Sequence, residues 1–118
     1  MFTINGYTIT LTRGDSASIQ LIPTVLATGR AYVFQTGDAV KFRIRQLPEC
    51  GEVVELDGYI DLVENTCVVT IHPEDTENLI MTEYRYEAEL QDANGGRFTF
   101  IADQKFIVGK ELENHVIG

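Results

Sequence analysis

Apolar and polar side chains alternate along much of this chain, most clearly from Tyr84 to Leu90, where tyrosine, alanine and leucine alternate with charged residues. A period of two places successive side chains on opposite faces of a strand, whereas an amphipathic helix repeats about every 3.6 residues. This pattern and the turn residues that interrupt it predict strands at residues 6–12, 16–23, 31–34, 39–46, 52–57, 59–63, 67–72, 83–92, 97–102 and 104–108.

Glycine-containing turns separate these strands. Arg13-Gly14-Asp15 and Asn94-Gly95-Gly96 each join two alternating runs, and Gly37-Asp38 precedes another. Asp57-Gly58 is the strongest hairpin signal, because both central residues of a type I′ turn need positive φ. Turns that recur roughly every 8–12 residues favour an antiparallel sandwich or barrel.

One segment, residues 73–79, departs from the alternation. Pro73 is followed by Glu74 and Asp75, the order that a helix N-terminus prefers. We expect one or two helical turns that cross between strands, with Leu79 and Ile80 closing one end of the core.

Two of the predicted strands carry opposite charges at alternating positions. The basic residues are Lys41, Arg43 and Arg45, and the acidic residues are Glu83, Glu87 and Glu89. Opposite charges on neighbouring strands stabilise a sheet by a few tenths to about 1 kcal/mol per pair. The two strands are therefore predicted to pair in one sheet, with their charged sides in solvent; the alternative is that both faces are merely solvated.

The 118 residues suffice for one domain, predicted to span 1–118, with 109–118 as a flexible or docking tail. Hydrophobic residues make up 44% and charged residues 23%, as in globular proteins. The formal charge of -9 repels phosphate backbones and anionic lipids, so we expect neither nucleic acid nor membrane as a partner.

The N-terminal residues and the two cysteines bear on the compartment. Residues 1–6 lack the basic region of a signal peptide, and no apolar run approaches the ~20 residues of a membrane span. We therefore expect synthesis in the cytoplasm and reduced thiols. Whether Cys50 and Cys67 are bonded stays open.

Five features could carry chemistry, and each has a plainer structural interpretation. Arg13-Gly14-Asp15 spells the integrin-binding tripeptide, but a tight turn explains it better. His72 beside Glu74 and Asp75 falls short of a zinc site, which needs three or four convergent ligands. Either Cys50 or Cys67 could in principle be a nucleophile with His72, but the apolar strand of Cys67 predicts that it packs as a small hydrophobic residue.

An acidic stretch without basic residues could bind calcium weakly or meet a basic partner, but it lacks an EF-hand loop and is typical of a solvated face. Its members are Glu49, Glu52, Glu55, Asp57, Asp61 and Glu64. Five tyrosines, Tyr7, Tyr32, Tyr59, Tyr84 and Tyr86, could form a sugar-stacking platform, although tryptophan is absent. No nucleophile or phosphate-binding motif occurs. We therefore assign no catalytic, cofactor-binding or metal residues, expect no cofactor, and predict that the chain is not an enzyme.

The order of these patterns resembles the immunoglobulin-like N-terminal domain of phage baseplate upper proteins and related small prophage proteins of Gram-positive bacteria. The resemblance covers about residues 7–108. Its motifs are Leu11-Thr12-Arg13-Gly14-Asp15, residues 37–44, residues 71–76, residues 84–92, Phe98-Thr99-Phe100 and Lys105-Phe106-Ile107-Val108. Baseplate upper proteins continue into further regions, whereas ten residues follow Val108 here.

The resemblance implies an all-β, immunoglobulin-like antiparallel β-sandwich that serves as a structural and assembly module of a phage or prophage tail or baseplate. Its partners would be other tail or baseplate proteins and further copies of itself. It would be made in the bacterial cytoplasm and would lie in the virion tail when assembled. Deleting residues 109–118 is expected to weaken self-association more than stability. One alternative is a surface adhesin-type or carbohydrate-binding β-sandwich module; another is a small hydrolase with His72 and two carboxylates in a pocket.

Overall fold

A computed structural model describes residues 2–46, 52–79 and 83–109, and its regular structure is almost entirely β. The strands are β1 (Phe2–Asn5), β2 (Thr8–Thr12), β3 (Ala17–Gln20), β4 (Ala39–Arg45), β5 (Glu52–Asp57), β6 (Tyr59–Asp61), β7 (Thr66–Ile71), β8 (Glu83–Gln91) and β9 (Arg97–Gly109). A four-residue helix, α1 (Pro73–Thr76), lies between β7 and β8.

The described strands form two sheets. The larger has the order β1-β2-β9-β8-β4-β5 and the smaller the order β3-β7-β6. The pairing of β2 with β9 is parallel, from Ile9 beside Phe106 to Thr12 beside Gly109, and every other pairing of described strands is antiparallel.

Apolar side chains from both sheets meet in a shared core. Ile9 and Phe42 of the larger sheet are buried in the same cluster as Ile19 and Val69 of the smaller one. Phe42 stacks on Tyr86 with ring centroids 5.2 Å apart. The alternation in the sequence buries every second residue, as in β4 and β7. An all-β chain with two packed sheets is therefore confirmed.

The predicted hairpin at Asp57-Gly58 is wrong. β5 belongs to the larger sheet and β6 to the smaller, so the chain changes sheets at Gly58 instead of turning back. Gly58 does not have positive φ. A Cβ built on it would lie 2.5 Å from Sγ of Cys67 and 3.2 Å from Cβ of Val40. Glycine is required there by the close approach of neighbouring atoms, not by a type I′ turn.

Three other strand predictions differ from the structure. Residues 97–102 and 104–108 form one strand, β9, whose pairing with β8 shifts register around Ala88 and whose Asp103 has φ 50°. Residues 31–34 form no strand, and only an isolated bridge joins Thr24 to Ala31. β1 was not predicted; it pairs with β2 across a tight turn in which Gly6 has φ 63°.

The predicted helical crossover is confirmed, and the helix has only four residues. α1 follows β7 of the smaller sheet and precedes β8 of the larger one. The carboxylate of Asp75 accepts a hydrogen bond from the His72 backbone N–H at 2.7 Å, which closes the first turn. Leu79 is buried in the core, as expected, whereas Ile80 lies outside the described residues.

The predicted pairing of the oppositely charged strands is confirmed. β4 and β8 are antiparallel neighbours, with Lys41 beside Glu89 and Arg43 beside Glu87. Arg45 Nε lies 2.7 Å from a carboxylate oxygen of Glu87. β5, on the other side of β4, adds carboxylates that the prediction did not include.

The expectation that these charged sides lie in solvent is wrong for two residues. Glu89 is only 9% exposed and the Arg43 side chain 13%. The Arg43 guanidinium lies within 3.6 Å of carboxylate oxygens from Glu55, Glu87 and Glu89, so three neighbours surround it. Charges that are paired and hydrogen-bonded tolerate partial burial.

Candidate functional site

The tripeptide Arg13-Gly14-Asp15 forms the tight turn that its glycine predicts. Gly14 has φ 83°, and the Asp15 N–H donates to the carbonyl of Thr12 at 3.0 Å. The Gly14 N–H donates to the hydroxyl of Thr76 at 3.1 Å, so the buried end of α1 holds the turn in place.

The residues around His72 do not converge on a site. His72 and Glu74 are exposed, and the Asp75 carboxylate is occupied by the backbone of His72. His72 lines neither the groove nor the smaller cavity that are described below.

Acidic residues of the stretch that runs from Glu49 to Glu64 make separate local contacts instead of converging on one site. Glu55 pairs with Arg43, and Asp57 pairs with Lys41. Asp61 accepts hydrogen bonds from the N–H groups of residues 63 and 64, at 3.0 and 3.1 Å. Glu49 and the side chain of Glu52 lie outside what the structure describes. Within the described residues, no group of three or more His, Cys, Asp or Glu is placed to hold a metal ion.

Cys67 is a free, fully buried thiol in β7. Burial raises its pKa to about 11, because the thiolate would lose its hydration. A thiol of this kind packs as a small apolar group. Cys50 lies outside the described residues.

The five tyrosines do not form one platform. Tyr84 and Tyr86 are buried in the core, and the exposed Tyr59 lies on β6. Tyr7 and Tyr32, however, line one groove together with Phe98 and Phe100. We call this groove the edge groove.

The edge groove runs beside the N-terminal half of β9. Four consecutive residues of that strand, 98–101, line it. These four residues lie where the pairing of β9 with β8 shifts register, so the groove follows this irregular part of the strand. Its volume is about 860 Å³.

A loop forms the opposite wall. Its backbone is closed by hydrogen bonds from Val25 N–H to the Arg30 carbonyl and from Tyr32 N–H to the Pro23 carbonyl, both 2.8 Å long. The loop presents Ile22, Val25 and Leu26 to the groove. Leu26 is 98% exposed, and Phe98 on the facing strand is 55% exposed. Large side chains this exposed and this close together mark a binding surface more often than isolated ones do.

The strand edge beside the groove is unpaired in the described part of the chain. β2 pairs only with residues 106–109 of β9, and β8 pairs with the other side of β9. The edge from Arg97 to Lys105 therefore presents backbone N–H and C=O groups without a strand partner among the described residues. Such an edge can accept a strand from another chain.

Polar groups at the groove are engaged by neighbouring protein atoms. The Tyr32 hydroxyl donates to Asp38 Oδ2 at 2.8 Å, and burial together with this carboxylate raises the pKa of Tyr32. The Asp92 carboxylate accepts hydrogen bonds from the N–H groups of Asn94 and Gly96 at 3.0 and 2.7 Å. The groove therefore offers mainly apolar contact, with directional hydrogen bonding supplied by the edge of β9.

A second, smaller cavity of about 270 Å³ lies where β8 and β9 shift register. It is lined by Arg45 and Arg85, whose guanidinium groups face Glu87 at 2.7 Å and Asp103 at 3.5 Å, respectively. Each arginine thus has a carboxylate beside it.

The sequence patterns did not single out the edge groove. The signal was present in residues 22–33, where Ile22, Val25, Leu26 and Val33 are large apolar residues within a segment that lacks regular alternation. Exposed apolar residues in an irregular segment cannot be told from core residues without the fold.

In the described residues, no helix has the length and apolar character needed to cross a membrane. No protein-family model matches the chain, and no curated protein matches it.

Proposed function

We propose that this chain is a non-enzymatic structural module of a phage or prophage tail or baseplate, which assembles with neighbouring proteins by strand addition. The observation that carries this proposal is the edge of β9 that no described strand pairs with, which lies beside an apolar groove. Backbone hydrogen bonds along such an edge supply affinity, and the groove selects side chains at alternate positions.

The tail or baseplate setting comes from the sequence resemblance, and an immunoglobulin-like topology is part of the proposal. Immunoglobulin domains place strands B, E and D in one sheet and strands C, F and G in the other, with an added C′ strand in variable-type domains. The order β3-β7-β6 agrees with B-E-D, and the order β9-β8-β4-β5 agrees with G-F-C-C′. The chain lacks the tryptophan on strand C that marks antibody domains.

The charge distribution is compatible with an assembly role. On the outer face of the larger sheet, Arg43 and Arg45 are surrounded by carboxylates, and their charges are matched locally. Polar, charge-matched faces keep a sheet soluble, which leaves the apolar groove as the surface suited to a stable contact.

Particles from the bacterial strain that encodes the chain test the proposal. An epitope-tagged copy is expected to copurify with particles released after prophage induction, and gold-labelled antibody is expected to mark the tail. In a strain with the gene deleted, tails should be incomplete. Normal, infectious particles from the deletion strain, or particles that lack the tagged chain, would contradict the proposal.

A carbohydrate-binding module is a second candidate, because Tyr7, Tyr32, Phe98 and Phe100 line one groove together with the carboxylate of Asp92. Aromatic rings beside a polar acceptor suit a sugar's apolar face and hydroxyl groups. Binding on a glycan array that is lost in Phe98→Ala, with the fold retained, would favour this candidate over assembly.

A further inference from the structure

The shape and apolar lining of the edge groove suit an extended, partly apolar segment, and the sequence contains one. We propose that residues 110–118 of one copy add as a strand to the edge of β9 in a second copy and fill the edge groove. This inference rests on the proposed assembly function and names the contact through which copies join.

The part of the β9 edge that would accept the added strand lies along the continuation of β2. β2 begins at Thr8 and runs parallel to β9. Its residues 9–12 pair with residues 106–109 of β9. Before Thr8 the chain turns away at Gly6 into β1, and Tyr7 lines the groove. The position beside residues 97–105 of β9, along the continuation of β2, is therefore free of any described strand. An added strand there would extend the sheet without displacing one.

A second copy can place this segment beside the groove without a constraint from its own β9. β9 runs away from the groove, from Arg97 to Gly109, and β2 pairs with its last four residues, Phe106 to Gly109. A segment that continued from Gly109 of the same copy would have to reverse direction and pass β2 before it met the edge. The segment of a second copy has no such limit.

The pattern of the segment suits the groove. In Lys110-Glu111-Leu112-Glu113-Asn114-His115-Val116-Ile117, an extended conformation places Leu112 and Val116 on one face, with Glu111 and Glu113 on the other. The face with Leu112 and Val116 matches the apolar groove wall formed by Leu26.

The charges are complementary on the opposite face. Arg97 and Lys105 are exposed, and they lie beside Gln91 and Arg85 of β8, on the polar side of the sheet. When the apolar face of the segment enters the groove, its two glutamates lie on the same side of the sheet as these cations. Opposite charges on neighbouring strands favour pairing.

The contact joins two different surfaces, a donor segment and an acceptor groove, and each copy carries both. A contact of this kind is head-to-tail, and repetition closes into a ring or continues as a filament. Light scattering or sedimentation of the full chain should therefore show a mass that exceeds the monomer and rises with concentration.

Two variants, each lacking one side of the proposed contact, test the inference. The donor-defective variant carries Leu112→Asp and Val116→Asp, and the acceptor-defective variant carries Leu26→Asp and Phe98→Asp. Each alone is expected to remain monomeric where the unchanged chain associates, with affinity at least tenfold weaker. An equimolar mixture of the two should form 1:1 dimers, because each supplies the half that the other lacks. Circular dichroism confirms folding, and Leu26→Asp alone serves if the double variant does not fold.

The matched control is Val63→Asp, which adds the same charge at a side chain 92% exposed outside the groove and should associate like the unchanged chain. A monomeric unchanged chain, association that neither variant weakens, or a mixture without dimers would overturn the inference. If the acceptor-defective variant is instead excluded from particles while self-association is unchanged, another protein occupies the groove. In that case the inference fails and the proposed function stands.

Discussion

Gly58 lies against Cys67 so closely that a Cβ on the glycine would fall 2.5 Å from Sγ of the cysteine. Its backbone N–H donates to the Val40 carbonyl at 2.8 Å. The chain passes from the larger to the smaller sheet at this point, and both neighbours are fully buried. The corner between the sheets therefore depends on a residue without a side chain.

Gly58→Ala is expected to lower the free energy of unfolding by about 1–3 kcal/mol, because the added methyl group overfills a packed site. In a Cys67→Ala background Sγ is absent, so the same substitution should cost less. Urea unfolding of the single and double variants measures this coupling. Strictly additive effects would mean that Gly58 is needed for a reason other than contact with Cys67.

Thr76→Val should destabilise the fold by about 0.5–1.5 kcal/mol, because it removes the hydroxyl that accepts the hydrogen bond from the Gly14 N–H while keeping the side chain's shape. Thr70→Val, at an exposed position of β7, is the control and should change stability little. Equal effects of the two substitutions in thermal or urea unfolding would show that the link between α1 and the turn at Gly14 adds no stability.

The pKa of Glu89 is lowered by the hydrogen bond from Gln91 and by the charges of Arg43 and Arg97, although burial opposes this. A carboxyl group whose pKa falls on folding stabilises the native state above its unfolded pKa of about 4.3, and this stabilisation is lost as pH falls through the folded value. The stability difference between the unchanged chain and Glu89→Gln should therefore shrink from about pH 6 to about pH 3.

Urea titrations at several pH values measure that difference. Glu83→Gln is the matched control, because Glu83 is exposed at the start of the same strand. A difference that stays constant with pH for Glu89→Gln would mean that its charge contributes nothing to the native state.

The buried Cys67 should resist alkylation in the native state. With a pKa of about 11, on the order of one thiol in a thousand would be ionised at pH 8, and the sulfur is also shielded from solvent. In a Cys50→Ser background, iodoacetamide labelling is expected to be at least 100-fold slower than in urea. Labelling at the rate of an exposed thiol would show that β7 opens readily.

Local pattern was sufficient to predict much of the fold. The alternation from Tyr84 to Leu90 identified both the strand and its buried face, and the opposite charges on β4 and β8 identified a long-range pairing. Proline followed by acids identified α1. In each case the signal lies within a few residues or in two matching faces, and burial and charge act on those residues directly.

The edge groove could not be found in this way. Leu26 and Phe98 are 72 positions apart in the sequence, and each alone is an ordinary apolar residue. They line one groove only because the loop from Ile22 to Tyr32 stands beside β9. The edge of β9 that lacks a partner among the described strands likewise depends on where β2 starts relative to β9, which is a property of the assembled sheet.

The sequence by itself determined the alternation of buried and exposed side chains along strands such as β4 and β8 and the residue at which the helix begins, because side-chain direction and helix capping follow from neighbouring residues. Only the tertiary structure decided which sheet each strand joins. Asp57-Gly58 has the composition of a hairpin turn, yet the packing of Cys67 and Val40 around Gly58 makes it a corner between sheets. That choice depends on contacts between distant residues, which a local pattern does not encode.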